Sequence, residues 1–201
     1  MWLYGASGHG KVIKEIIESR GRTVNGFIDD NPNVIELAGL PVRHSAEELD
    51  DVIISIGGNK IRKMIAERIG CRIADAVYHS SAVISQSAHL QVGTVIMAGA
   101  IVNADGRIGR HCIINTGASI DHECNLGDFV HVSPHATLCG NVNVGEGTWI
   151  GAGATVIQGI TIGRWCLIGA GSVVTKDIPD GWMAVGNRCK MIKQINQDML
   201  R

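Results

Sequence analysis

Residues 108–126 read IGRHCIINTGASIDHECNL, and in them Ile108, Ile114, Ile120 and Leu126 fall six positions apart. The beat continues outward in both directions. Ile84, Leu90, Ile96 and Val102 precede it, and Val132, Leu138, Val144, Ile150, Val156, Ile162, Ile168 and Val174 follow, sixteen aliphatic positions without a slip. A period of six fits neither a 3.6-residue helix nor a two-faced strand. It is the pattern of hexapeptide repeats, in which short strands meet at turns and coils stack along an axis as a parallel β-helix. Two residues before each aliphatic the slot is mostly small, as at Ala100, Cys112, Ala118, Cys124, Ala136, Ala154, Cys166 and Ser172. Small and large side chains can therefore alternate inside a narrow prism. Glycine recurs just after the aliphatic at Gly109, Gly127, Gly145, Gly151, Gly163 and Gly169, where we expect the backbone to turn a corner with unusual dihedrals. Three hexads make one coil of 18 residues, so residues 18 apart should be spatial neighbours roughly 4.8 Å apart.

Length and charge bound the remaining possibilities. The chain has 201 residues and a net charge of −1, so it can bury a sizeable core and carries no polybasic footprint for nucleic acid or an anionic membrane. The first residues lead into a strand and a glycine loop with no signal-peptide pattern, and no 18-residue apolar run occurs, so the expectation is a cytoplasmic protein without a membrane span. Of the six cysteines, Cys112, Cys124 and Cys166 fall in the small inward slot and none forms a C-x-x-C, which reads as reduced structural thiols.

Ahead of the repeat, residues 2–5 read as a strand that enters Gly5-Ala6-Ser7-Gly8-His9-Gly10, followed by a helix with Val12, Ile13, Ile16 and Ile17 on one face. Strand, glycine loop and helix aim backbone N–H groups at a phosphate. A second strand, 24–28, ends in Asp29-Asp30, where such folds place an acid for ribose or base. The spacing G-x-x-G-x-G differs from the dinucleotide G-x-G-x-x-G, which speaks against a nicotinamide cofactor. Further strands at 41–44 and 52–56, then Gly57-Gly58 and a helix over 59–69, complete an α/β unit. The expected domains are 1–78, a Rossmann-like unit, and 79–201, the β-helix with its tail; residues 71–81 join them, and 191–201 read as a short helix.

Eight histidines are candidates for chemistry. His44, His79, His89 and His111 fall in turns or linkers and read as surface or hydrogen-bonded histidines. His122, His131 and His135 cluster in the middle coils, but the positions one coil from His122 are Ala104 and Gly140, and His131 and His135 likewise have no histidine one coil away. A stacked three-histidine metal site is therefore disfavoured. His122-Glu123 follows Ile120 at a corner, where the carboxylate could hold the imidazole in one tautomer and Gly140 could offer an unhindered N–H. By spacing alone, a general base and a solvated His-Glu pair both remain open. Lys11, after the glycine loop, could grip a phosphate or be solvated.

Tyr4-Gly5-Ala6-Ser7-Gly8-His9-Gly10, Phe27-Ile28-Asp29-Asp30, Ile56-Gly57 with Ile61-Arg62-Lys63, Asn115-Thr116, and Asp121-His122-Glu123-Cys124 with His131-Val132-Ser133 together resemble the sugar O/N-acyltransferases of the sialic acid O-acetyltransferase type. Within that family the sequence is most similar to bacterial N-acetyltransferases acting on the 4-amino group of UDP-4-amino-4,6-dideoxy sugars. The resemblance covers essentially the whole chain in order. It implies a homotrimer of left-handed β-helices and acetyl-CoA as co-substrate, with no metal. It places Ser7, Gly8, His9, Asp29, Asp30 and Gly57 on the UDP- or GDP-linked amino sugar. It makes His122 the base, supported by Glu123, Gly140 and Asn115, and sets His131, Ala152 and Ala170 against acetyl-CoA. The usual Gly-x-Pro-Ala-Lys ending reads Gly186-Asn187-Arg188-Cys189-Lys190, without the proline. The rival readings are O-acetylation of sialic acid or a capsule sugar, and a non-catalytic scaffold that binds a nucleotide sugar.

Overall fold

The computed structural model describes residues 1–69 and 72–195; Gly70, Cys71 and the last six positions of the tail lie outside it. The N-terminal unit runs β1 (Trp2–Tyr4), α1 (Gly8–Glu18), β2 (Gly26–Ile28), β3 (Glu36–Leu37), β4 (Leu40–Arg43), β5 (Asp50–Ile54), α2 (Asn59–Arg68) and β6 (Arg72–Ile73). Its sheet has the order β3-β4-β2-β1-β5-β6. The chain leaves β1 for β2 on one side and returns to β5 on the other, with both pairs parallel. That reversal makes β1 the switch point, and a crevice opens at the carboxyl ends of β1 and β5. Leu3, Phe27 and Ile53 pack with Ile13, Ile16 and Ile17 of α1 in one buried cluster. The spacing of those isoleucines gives α1 a single apolar face, which is what buries it.

From β7 (Val77–Tyr78) to β23 (Val173–Val174) the chain is a run of two-residue strands wound into three parallel sheets. Every pairing is offset by 18 residues, as in Ile96↔Ile114, Ser119↔Thr137 and Asn125↔Asn143. Val77–Tyr78 already pairs with Val95–Ile96, so the solenoid starts before the boundary expected at residue 78. The aliphatic positions from Ile96 to Val174 and the small slot, including Cys112, Cys124 and Cys166, are buried inside the prism. The first two, Ile84 and Leu90, are half-buried because no coil covers them from below.

The corner glycines work differently from the expectation. Those that directly follow the aliphatic residue do not have positive φ. They are small because the next coil presses on them: a Cβ on Gly151 would lie 2.5 Å from the Ala170 backbone nitrogen. The left-handed residue is the third after the aliphatic. Glycine fills it at Gly93, Gly117 and Gly147, but His111, Glu123, Phe129, His135 and Trp165 adopt it too, with φ of 53 to 60°.

The end of the solenoid also departs from expectation. β24 (Trp182–Val185) extends the first sheet beside Leu167–Ile168, and β25 (Lys190–Gln194) folds back on it antiparallel. The start of the expected terminal helix is thus a strand, because β24 offers an open sheet edge and Gly186, at φ 103°, lets the chain reverse onto it. Residues 196–201 of that expected helix lie outside the described residues.

The N-terminal unit rests on the solenoid along two contacts. α1 packs on the outer face of the first sheet, against Val77, Val95 and Ile113. α2 lies along the corner between the third and first sheets, where Asn59 donates to the Gly147 and Thr148 carbonyls at 3.0 and 3.3 Å.

Candidate active site

At the crevice, Gly5 has φ 117°, and a Cβ there would lie 2.9 Å from the Ser55 carbonyl oxygen. Only glycine allows the loop to pass so close to β5. α1 then starts at Gly8 after an extended Ser7 that makes no side-chain cap, so its first-turn N–H groups are offered to the crevice. Asp29 ties this loop to β2: its carboxylate accepts from the Ala6 amide at 2.8 Å and from the Asn31 amide at 2.9 Å. Asp30 turns the other way, accepting from the Tyr4 hydroxyl at 2.5 Å and from Arg68 at 2.8 Å. The Tyr4 hydrogen bond, ahead of Arg68, holds the Asp30 carboxyl below the usual range. Burial, with the Asp30 hydrogen bond behind it, pushes the Tyr4 phenol up to about 12.

Where crevice and solenoid meet, His131 is buried and stacks on Trp149 at 4.7 Å between ring centroids. Trp149 is fixed in turn by donating its indole N–H to Ser133 Oγ at 2.7 Å. Asn115 Oδ1 accepts from the Thr116 amide, which turns its Nδ2 toward His131 Nε2 at 3.1 Å. That amide donates, so the His131 proton belongs on Nδ1, and burial holds the ring neutral with a pKa near 3. Among the described residues, neither the buried His131 Nδ1 nor the buried His9 Nε2 has a hydrogen-bond partner. The Gly57 backbone lies beside the His131 ring and works against the effect of burial, raising its pKa. Burial likewise lowers His9 to about 4. The structure therefore brings His9, Gly57, Asn115 and His131 together at one junction.

The corner between the second and third sheets carries His122. Its Nδ1 meets Glu123 Oε2 at 3.1 Å on an exposed surface. Glu123 is the left-handed residue of this corner, at φ 58°. Asp121 anchors the turn, with Oδ1 accepting from the His122 amide at 2.8 Å and from Asn103 Nδ2 at 2.9 Å. With Glu123 accepting, the imidazole proton lies on Nδ1 and the Nε2 lone pair is free. Nε2 faces Gly140, where a Cβ would lie only 2.4 Å away. Ala152 and Ala170 are exposed, one coil apart, at the corner between the first and second sheets. Asn115 begins that same corner, so within one chain it joins His131 rather than His122.

One expectation is corrected here. His111 is a buried residue, stacked on Phe129 at 5.1 Å, and burial lowers it to about 4. It fills space above Gly93, whose missing side chain leaves room for the ring. Two residues that sequence reasoning passed over are Arg62, quoted only as part of a motif, and Asn59. Both are wholly buried polar groups on α2, and their unusual place on an otherwise mixed helix face is the signal that could have marked them. Among the described residues, no group of three His, Cys, Asp or Glu side chains could hold a metal ion.

Comparison with known proteins places these features in a lineage. The PglD N-terminal domain matches residues 1–69, and the bacterial transferase hexapeptide repeat matches residues 141–176. UDP-N-acetylbacillosamine N-acetyltransferase of Bacillus subtilis (strain 168) is 45% identical over 108 residues; the match spans 48% of this chain and only about half, 50%, of that relative. Perosamine N-acetyltransferase of Caulobacter crescentus, solved as a variant with CoA and GDP-perosamine, is 36% identical over 96% of each chain, with a TM-score of 0.91. The acetyltransferase domain of PglB from Neisseria gonorrhoeae FA1090, solved with acetyl coenzyme A, is 37% identical over 95% of this chain and 98% of that one, with a TM-score of 0.88. Sharing both domains in order, along nearly its whole length, the chain belongs to the hexapeptide-repeat sugar acyltransferases with a PglD-type N-terminal domain, the family of the nucleotide-sugar N-acetyltransferases.

Proposed function

We propose that the protein transfers the acetyl group of acetyl-CoA directly to the 4-amino group of a nucleotide-linked amino-deoxy sugar, with a UDP sugar favoured over a GDP sugar, in bacterial glycan biosynthesis. The observation that carries this is the His122 corner: Nδ1 tethered to Glu123 and Nε2 open beside a glycine. His122 Nε2 takes a proton from the sugar amine as its nitrogen attacks the thioester carbonyl. The Gly140 N–H stabilises the oxygen that becomes negative. The C–N bond forms, the C–S bond breaks, and the protonated His122 returns its proton to the departing CoA thiolate. No covalent acyl-enzyme is needed, since an amine requires only deprotonation to attack a thioester.

Ser7, Gly8, His9, Asp29, Asp30 and Gly57 hold the nucleotide sugar in the crevice. His131, Ala152 and Ala170 contact acetyl-CoA, and Asn115 supports the reacting groups through His131. In this reading the working enzyme is a cytoplasmic homotrimer; that the His122 and Ala152 columns occupy different corners of one solenoid supports an arrangement in which one subunit supplies the base and its neighbour the CoA groove. The complexes of the relatives from Caulobacter crescentus, with CoA and GDP-perosamine, and from Neisseria gonorrhoeae, with acetyl coenzyme A, support this pairing of ligands. Among the described residues, no helix is long and apolar enough to cross a membrane.

The test is a thioester-cleavage assay with acetyl-CoA against a panel of UDP- and GDP-linked 4-amino sugars, sialic acid and capsule sugars. Turnover with an amino sugar is expected, and His122→Ala should lose several orders of magnitude in kcat while still binding CoA. Glu123→Ala should lose less. Turnover only on hydroxyl acceptors, no turnover with any acceptor, or near-normal turnover by His122→Ala would sink the reading.

A further inference from the structure

We propose that Arg62 is a positioning residue for the nucleotide sugar: its guanidinium locks the loop after β5 to the solenoid corner and so sets the shape of the crevice. The inference rests on reading that crevice as the nucleotide site. Arg62 lies on α2 and is only 1% exposed. Its Nε donates to the His111 carbonyl at 2.8 Å, and one terminal nitrogen donates to the Ile56 and Gly57 carbonyls, both at 3.0 Å. The other terminal nitrogen donates to Asn59 Oδ1 at 3.0 Å and to the Phe129 carbonyl at 2.9 Å. These bonds match the five N–H groups of a guanidinium one for one.

Every one of these acceptors is neutral. Burying a cation without a carboxylate is unfavourable, and a well-packed apolar side chain would join α2 to the corner more cheaply. What an apolar residue cannot do is hold carbonyls of two units in a fixed relation. The Ile56 and Gly57 carbonyls belong to the crevice loop, while His111 and Phe129 are successive coils of the solenoid, 18 residues apart. Gly57 is also the residue that faces His131. The guanidinium therefore spans the junction at which His9, Gly57 and His131 meet. Asn59 extends the clamp by one further coil, through its bonds to Gly147 and Thr148. Ala152 and Ala170, at another corner, are outside its reach.

A residue that only stabilised the fold would weaken all ligands alike, so the experiment compares two ligands on one variant. Wild-type and Arg62→Lys protein are titrated calorimetrically with UDP, GDP and CoA, and the KM values for the nucleotide sugar and acetyl-CoA are measured. Lysine keeps the charge but has three donors and no fork. Arg62→Lys is expected to weaken the better-bound nucleotide at least tenfold and leave CoA within threefold, with the same split between the two KM values. Equal weakening of both ligands, or unchanged nucleotide affinity, overturns the proposal. Should Arg62→Lys fail to fold, Asn59→Ser, which loses the clamp's outer contacts, is read by the same criterion. Wild-type protein that binds neither nucleotide also overturns it. Wild-type protein that binds nucleotide and CoA but acetylates no acceptor overturns the catalytic reading instead, while the titrations still decide the role of Arg62.

Discussion

Gly140 isolates the chemistry of the His122 corner from its folding. Its φ is not positive, so alanine fits the backbone there. The added methyl would nevertheless land 2.4 Å from His122 Nε2 and force the imidazole aside. A displacement of about 1 Å of a reacting group can remove on the order of a hundredfold in rate. Gly140→Ala is therefore expected to lower kcat by about that factor while the melting temperature changes by only a few degrees; a variant with wild-type kcat would show that Nε2 is not the reacting atom. The adjacency itself was legible in the sequence, because a repeat of 18 turns residue numbers into positions. Arg62 was not legible in the same way. It belongs to a helix of the other unit, and no period relates α2 to the carbonyls of His111 and Phe129. His111 misled for a similar reason: a turn position suggests solvent, but α2 covers this particular corner.

At the scale of one corner, glycine has two separate duties, and the sequence shows both only as a frequent letter. Gly151 has ordinary dihedrals but no room, since a Cβ would press on the backbone of the next coil. Gly153 has φ 64° and open space within 4 Å. Placing alanine in the left-handed region is unfavourable by roughly 1–2 kcal/mol. Seven side chains larger than alanine already tolerate that corner position, from Asp105 to Trp165. Overpacking against rigid backbone is worse, at roughly 1–3 kcal/mol or more, because the coil above would have to shift as a unit. Gly151→Ala should thus lower the urea midpoint more than Gly153→Ala, although a dihedral argument alone predicts the reverse order. The two-residue strands were readable from the hexads. The hairpin of β24 and β25 was not, because the repeat stops at Val174 and the composition of the tail carries no period.

Across the whole molecule, the junction between the two units concentrates three neutral histidines around one buried guanidinium. Burial is the main cause in each case, and the Arg62 charge adds to it, so His9, His111 and His131 titrate near 4, 4 and 3 instead of 6.5. In the unfolded chain the same rings take up protons near pH 6.5. Stability is therefore complete above about pH 7 and falls as pH drops through 6.5 toward 4, since protons bind the unfolded state first. Each fully buried ring contributes a loss of about 2 kcal/mol by pH 5, on 1.36 kcal/mol per unit of pH below 6.5. His9, which is partly exposed, contributes less. Urea unfolding at a fixed protein concentration should show this decline between pH 7 and pH 5, before most carboxylates titrate. His111→Phe gives the control. Its neighbour one coil above, Phe129, already occupies the same corner conformation, and the His111 carbonyl that receives Arg62 is backbone and survives the change. The variant should keep wild-type stability near pH 5 relative to pH 7 better by about 2 kcal/mol. Identical pH dependence in the two proteins would mean that the His111 ring is already protonated in the folded state, and that the junction is wetter than its burial indicates.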